Sequence, residues 1–398
     1  MKVLQVNVVC GYGSTGRIAA DIYKVLEEQG HECLIAYGRG VSPQGINSIK
    51  IGSNLDIYTH VIKTRIFDKH GFSSTKATKE FIKKAEEYKP DIVHLHNIHG
   101  YYINIQLLFE FLKKLNKPVI WTLHDGWAFT GHCAYFEYCG CEKWKTGCFQ
   151  CEQKGTYPIS SLMDNSRWNY EKKKELFTGL DNLTLVTPSQ WLAKLTKESF
   201  LGKYPVKVIN NGIDLEKFKP IKNSFKENHG INNKFMILGV ASVWEKRKGL
   251  EDLIKLSNIL DDSYKIVVVG VNEKQKESMP KDIIPITRTN SIKELAELYT
   301  AADVFINTTY EDNFPTTNLE ALACGTPVIT YNTGGSIESV NEKCGMVVEQ
   351  GNLEKLKSAI EGLRVHEKLT SDCVEESKKY NKTDRYRDYI ELYLAKKQ

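Results

Sequence analysis

The chain has no apolar run long enough to cross a bilayer as a helix. Its first residues, Met1-Lys2-Val3-Leu4-Gln5-Val6, lack the long apolar core and small-residue cleavage site of a secretory leader. Both absences lead to the expectation of a cytoplasmic protein. A dense basic stripe is missing too. The net charge of +5 is spread thinly, with local groups such as Lys172-Lys173-Lys174. That argues against a nucleic-acid partner; most of these lysines read as an ordinary solvated surface, with an anionic membrane surface or a phosphorylated substrate as further reasons for the excess. There are no low-complexity tracts. In a reducing compartment disulfides are not expected, so the ten cysteines read as thiols or metal ligands.

What is present is ordinary globular composition, 41% hydrophobic and 26% charged, over 398 residues. That length suits two domains better than one core. Short β-branched runs alternate with helical stretches in both halves. Examples are Val3–Val9, the run 91–96, the run 118–123 and Leu183–Pro188, then Phe235–Ala241, Lys265–Val271, Val304–Thr308 and Pro327–Tyr331. The alternation predicts an α/β fold of two doubly wound, Rossmann-like domains. The turn-forming run Asn210-Asn211-Gly212-Ile213-Asp214 marks a polar break between the halves. We expect an N-terminal domain over 1–205 and a C-terminal domain over 206–379. The amphipathic last helix, about 380–398, is expected to pack back on the first domain.

Gly11-Tyr12-Gly13-Ser14-Thr15-Gly16 is a GxGxxG that follows a strand and opens a helix. With Glu32 downstream it suggests a dinucleotide site. The physics is more general, because such a loop lets any anion or sugar approach free backbone N–H groups. Gly13, Ser14, Thr15 and Gly16 are therefore candidate ligand contacts.

The segment Tyr310-Glu311-Asp312-Asn313-Phe314-Pro315-Thr316-Thr317-Asn318-Leu319-Glu320 carries more information. A strand ends near Thr309, a polar loop holds Pro315, and a helix starts near Thr316. Such a loop sits at the carboxyl end of a parallel strand, where ligands bind in these sheets. Asp312 and Glu320 supply two acceptors suited to a ligand rich in hydroxyls.

This segment resembles the acid-x7-acid motif of family 4 glycosyltransferases, and the resemblance extends along nearly the whole chain. It implies the GT-B fold, two Rossmann-like domains facing across a cleft, and hexose transfer from a nucleotide-diphosphate sugar with retention of configuration. By the resemblance, Asp312 and the backbone of Asn313, Phe314, Pro315 and Thr316 face the transferred sugar. Glu320 holds the ribose. Family members usually carry Glu where this chain has Asp312. The family places an Arg and a Lys after the first strand of the second half, to neutralise the diphosphate. Lys248 matches the Lys, but Ser242 stands near the expected Arg. Arg247, or else Arg17 or Arg288, is expected to supply that charge. His124, ending the strand that holds Trp121, matches a family histidine that contacts the sugar.

No Asp-x-Asp occurs, which fits leaving-group stabilisation by Lys248, arginine and helix N-termini rather than by a metal. No cofactor is expected for catalysis. The implied acceptor is a saccharide or lipid-linked saccharide in surface-polysaccharide assembly, with peripheral contact at the inner face of the membrane. Two rival readings are a nicotinamide-dependent oxidoreductase and a non-catalytic sugar-binding GT-B protein.

Five cysteines follow the pattern C-x5-C-x-C-x6-C-x2-C from Cys133 to Cys151. Cys148 and Cys151 make a zinc half-site, and Cys133 with Cys139 or Cys141 offers the other half. Two readings stay open: a structural zinc on Cys133, Cys141, Cys148 and Cys151, or a group of free thiols.

Overall fold

The computed structural model describes residues 1–365 and 369–397. The chain forms two compact units, Met1–Asn210 with Arg385–Gln398, and Asn211–Asp384.

Among the described residues, unit 1 holds a seven-stranded sheet. Its strands are β1 (Lys2–Val9), β2 (Glu32–Arg39), β3 (Ser48–Lys50), β4 (Ile92–Leu95), β5 (Val119–Thr122), β6 (Leu183–Thr187) and β7 (Val206–Val208). They run in the order β3-β2-β1-β4-β5-β6-β7, and every pairing is parallel. Unit 2 holds six strands: β8 (Phe235–Val240), β9 (Tyr264–Val269), β10 (Ile283–Ile286), β11 (Val304–Asn307), β12 (Val328–Tyr331) and β13 (Gly345–Val348). Their order is β10-β9-β8-β11-β12-β13, again parallel throughout. In each sheet the chain order reverses beside the first strand. The loops after β1 and β4, and after β8 and β11, therefore open at switch points where such sheets bind ligands.

Successive strand residues point to opposite faces, and in unit 1 both faces are buried. Leu4, Val6, Val93, Leu95, Val119 and Trp121 enter one core. Val3, Ile35, Ile92, Ile120 and Val186 enter another, which is closed by Ile18, Ile22 and Leu26 of the helix Gly13–Glu28. Tyr386, Tyr389, Ile390 and Tyr393 of the C-terminal helix complete that second core. Unit 2 likewise has a core on each face of its sheet. Burial on both faces explains the near-continuous Val and Ile runs. No described helix is long and apolar enough to cross a membrane.

The C-terminal helix is tied to the sheet by polar contacts as well. Thr122 Oγ1 donates to the Tyr389 hydroxyl (3.1 Å), so it accepts from His94 Nε2 (2.8 Å). His94 Nδ1 is then an acceptor for the Tyr393 hydroxyl at 2.6 Å. All four groups are buried. Tyr393→Phe should strand the His94 lone pair and destabilise the protein by about 1–3 kcal/mol. An unchanged urea midpoint would show that this relay does not hold the helix.

Candidate functional site

The carboxyl edge of the unit 2 sheet is built by stitching two loops together. After β8 the chain makes a short turn over Lys246–Lys248 and reaches Gly249 with φ of 72°. A Cβ there would stand 2.1 Å from the Thr308 carbonyl, so only glycine allows the approach. Thr308 Oγ1 bonds the carbonyls of Lys248 (3.1 Å) and Gly249 (3.0 Å). The Tyr310 amide donates to the Arg247 carbonyl at 2.7 Å. The Arg247 guanidinium donates through Nη1 to the Glu311 carbonyl at 2.9 Å. These bonds bring Lys248 onto Asp312, and its ammonium donates to Asp312 Oδ2. Burial alone would push the Asp312 carboxyl up, but Lys248 and then Arg247 hold it below the usual carboxylate range. Asp312 is therefore ionised at neutral pH and able only to accept hydrogen bonds.

Beyond Asp312 the helix Thr316–Ala323 starts at Pro315, with no side-chain cap on its first amides. Its N-terminus carries a partial positive charge at the same edge. The Phe314 ring turns into the core, 5.6 Å from Tyr380, so only its backbone is offered to the loop. Asn313 is buried beside it. Glu320 is buried and accepts from the Tyr299 hydroxyl at 2.9 Å. The Tyr299 hydroxyl's bond to Glu320 has no signal in the sequence, where Tyr299 reads as an ordinary apolar helix position. Asn318 accepts from Asn307 (2.9 Å) and donates to Ser336 and Ser339, pinning the loop at 333–339 to this helix. In that loop Gly334 (φ 53°) lies so near the Asp312 carbonyl that a Cβ would meet it at 2.0 Å. The Gly335 amide donates to the same carbonyl at 3.0 Å.

The structure thus brings Lys248, Arg247, Asp312 and the helix start together. Arg288 stands exposed just beyond the edge strand β10, and Ser242 is exposed on the loop after β8. Arg17 belongs to unit 1, where its Nε donates to the Gly13 carbonyl at 3.2 Å.

In unit 1 the glycine loop follows β1 as expected. Gly13 (φ 63°) opens the helix, and the Gly11 amide closes on the Gly16 carbonyl at 2.9 Å. Glu32, however, does not suit a nucleotide ribose. It pairs with Lys2 at the start of β1, and its carboxylate lies 3.4 Å from Lys2 Nζ. It therefore sits at the sheet edge opposite the glycine loop. The residue that ends β2 at the loop's own edge is the exposed Arg39, paired with Val9. An acid placed near the right sequence distance thus misses because β2 begins, rather than ends, at it. This removes the acidic partner that the dehydrogenase reading needs.

His124 follows β5 within a chain of buried polar groups. Gln5 Nε2 donates to the Ala19 carbonyl, so Gln5 Oε1 accepts from His96 Nε2 at 2.9 Å. His96 Nδ1 then accepts from His124 Nε2 at 3.2 Å. Burial pulls His124 down to about 4 against the opposing effect of Asp125, so its imidazole is neutral at physiological pH. Asp125 caps the turn Gly126–Phe129 through the Trp127 amide and takes His99 Nε2 at 3.0 Å. His99 Nδ1 in turn bonds the Tyr157 hydroxyl at 2.8 Å.

Two family models match the chain, one described as Glycosyltransferase Family 4 over residues 15–217 and one as Glycosyl transferases group 1 over residues 221–380. The protein assigned to colanic acid biosynthesis as glycosyl transferase WcaC, of Escherichia coli (strain K12), is 26% identical over 372 residues, 89% of each chain. The capsular polysaccharide biosynthesis glycosyltransferase CapM of Staphylococcus aureus is 30% identical over 189 residues, 45% of this chain and about half (49%) of CapM. Among solved structures, Anabaena HepE in complex with UDP-glucose superposes with a TM-score of 0.70 at 15% identity, over 99% of this chain and all (100%) of that one.

The buried His60, His94 and His96 and the half-buried His124 together set a pH dependence of stability. His124 is held at about 4 and His60 at about 3, and His94 and His96 lie well below the ordinary 6.5, burial being the first cause in each. The unfolded chain binds more protons than the folded one, so stability is present in full above pH 6.5 and is lost as pH falls towards 4. Urea midpoints should drop steadily from about pH 7 to about pH 5, before carboxylates titrate. A flat or rising midpoint over that window would contradict the neutral assignment.

Proposed function

We propose that this chain, which belongs to glycosyltransferase family 4 and has the GT-B fold, moves a hexose from a nucleotide-diphosphate sugar to a saccharide or lipid-linked saccharide acceptor in surface-polysaccharide assembly. Transfer proceeds with retention and without a catalytic metal. The observation that carries this reading is the Lys248–Asp312 pair at the start of the helix Thr316–Ala323.

A lysine has three donors, and one is spent on Asp312. The others, with the helix N-terminus and Arg247, can offset charge on a departing diphosphate. Asp312, kept ionised, accepts hydroxyls of the transferred sugar. Glu320, oriented by Tyr299, accepts from the ribose. The acceptor oxygen bonds to the anomeric carbon as the carbon–phosphate oxygen bond breaks, and the hydroxyl proton leaves with the diphosphate. Taken by itself, unit 1 offers His124 and the glycine loop at 13–16 as the groups that the family resemblance assigns to ligand contact.

Support for a UDP donor comes from HepE, whose structure holds UDP-glucose. Support for the acceptor class comes from the assignment of WcaC to colanic acid. Peripheral membrane contact fits one face of unit 1. Leu55 (71% exposed) and Tyr58 (65%), with Ile62, stand on the helix Asn54–Phe67 beside exposed Lys63 and Arg65. Leu162 (68% exposed) is hydrogen-bonded through its amide to the Arg65 carbonyl at that helix. Apolar residues flanked by cations suit an anionic lipid surface.

Two measurements test the reading. UDP, GDP and their common sugars should raise the melting temperature while NAD does not, and Lys248→Ala should lower kcat about a hundredfold or more. Stabilisation by NAD alone would reject the reading. For membrane contact, co-sedimentation with phosphatidylglycerol vesicles should fall in Leu55→Asp/Leu162→Asp, with turnover of a soluble acceptor kept. Unaltered sedimentation would remove the membrane part.

A further inference from the structure

The segment from His132 to Asn165 is long and nearly free of regular structure. Its described elements are one short turn at Lys143–Lys145 and no strand or longer helix. It nonetheless delivers Tyr157 to His99, near the loop after β4. Something other than a backbone ladder must hold it.

His132 supplies the clue. It is buried at 2% exposure, and its Nδ1 lies 2.5 Å from Asp68 Oδ1. Asp68 is fully buried, and its other oxygen accepts the Asn165 amide at 2.9 Å. Asp68 thus takes up Nδ1 of the ring and leaves Nε2 as the nitrogen that faces the rest of the segment. That Nε2 is buried and has no hydrogen-bond partner. Burying an imidazole nitrogen without a partner is unfavourable unless something binds it. The cavity that His132 lines is walled by thiols, among them Cys133, Cys141, Cys148 and Cys151. Cys133 and Cys148 are buried, and Cys141 and Cys151 are half-buried at the cavity wall. A carboxylate behind the far nitrogen of a histidine is how metal-binding imidazoles are oriented.

We propose that this cavity is a structural zinc site, with His132 Nε2 as its pre-oriented ligand and the thiolates of Cys133, Cys148 and Cys151 as the other three. Three sulfurs and one nitrogen are a common tetrahedral zinc set. Among the described residues, no three His, Cys, Asp or Glu side chains already stand as a group able to hold an ion. The thiols must therefore turn inward and lose their protons as the metal enters, and the site assembles on binding. Compared with the four-cysteine reading of the sequence, His132 takes the place of Cys141; Cys141 and Cys151 both line the cavity half-buried, so Cys141→Ser separates the two ligand sets. Closing it would cross-link the start of the segment, at 132–133, to its middle, at 148–151, just ahead of the arm that carries Tyr157.

The test is metal analysis of the full chain, purified reduced and without chelators. About one zinc per chain is expected by mass spectrometry. Cobalt exchanged into the site should give sulfur-to-metal charge-transfer absorption and tetrahedral visible bands. Cys148→Ser should weaken the charge-transfer band and His132→Ala should shift or abolish the visible bands, while Cys141→Ser and the distant Cys324→Ser keep both. Cooperatively melting wild-type protein that takes up neither zinc nor cobalt overturns the proposal. So does a native Cys133–Cys151 disulfide, or cobalt spectra unaltered by His132→Ala. None of these outcomes depends on sugar transfer, so this site and the proposed activity can fail separately.

Discussion

Lys248 can reach Asp312 only because the loop after β8 lies flat on the end of β11. That close approach is the constraint on which the unit 2 site depends. Gly249 permits it, Thr308 and the Tyr310 amide fasten it, and Arg247 is spent partly on the Glu311 carbonyl. The ion pair then leaves a carboxylate and an ammonium side by side at a helix start. Neither is fully buried, with side chains 18% and 22% exposed, so both can meet a ligand while still being oriented by each other. The glycine turn at 334–335 closes on the Asp312 carbonyl from the other side, fixing the loop backbone as well as its side chain.

Much of this was readable from the chain. Strands buried on both faces leave dense Val and Ile runs, and the structure has them within a residue or two: Lys2–Val9, Phe235–Val240 and Val304–Asn307. The two strands that went unread are both edge strands. β3 is three residues long, and β10 contains Pro285, which a central strand would not tolerate. An edge strand is half-solvated and short, so its sequence carries little pattern.

The site was legible where chemistry is local and illegible where it is made by folding. Asp312 and the helix start follow from a loop between a strand and a helix, and Lys248 from the resemblance to the family. Tyr299 and His132 act through partners 21 and 64 residues away, and nothing in their own neighbourhoods announces it. His132 was further hidden by the cysteines around it. Glu32 shows the opposite error. A spacing that suits a ribose contact in one β–α–β unit fails here because the preceding helix and turn run to Gln29-Gly30-His31 and place the acid at the beginning of β2.

In the function we propose, Asp312 serves turnover as an anion held by Lys248, and not merely as a binding contact. Asp312→Asn removes the charge and keeps the shape. Donor affinity by calorimetry and turnover by product formation, measured on the same preparation, separate the two roles. Near-normal affinity for the nucleoside diphosphate is expected, with turnover lowered by about tenfold or more. Turnover equal to that of the unaltered chain would contradict it.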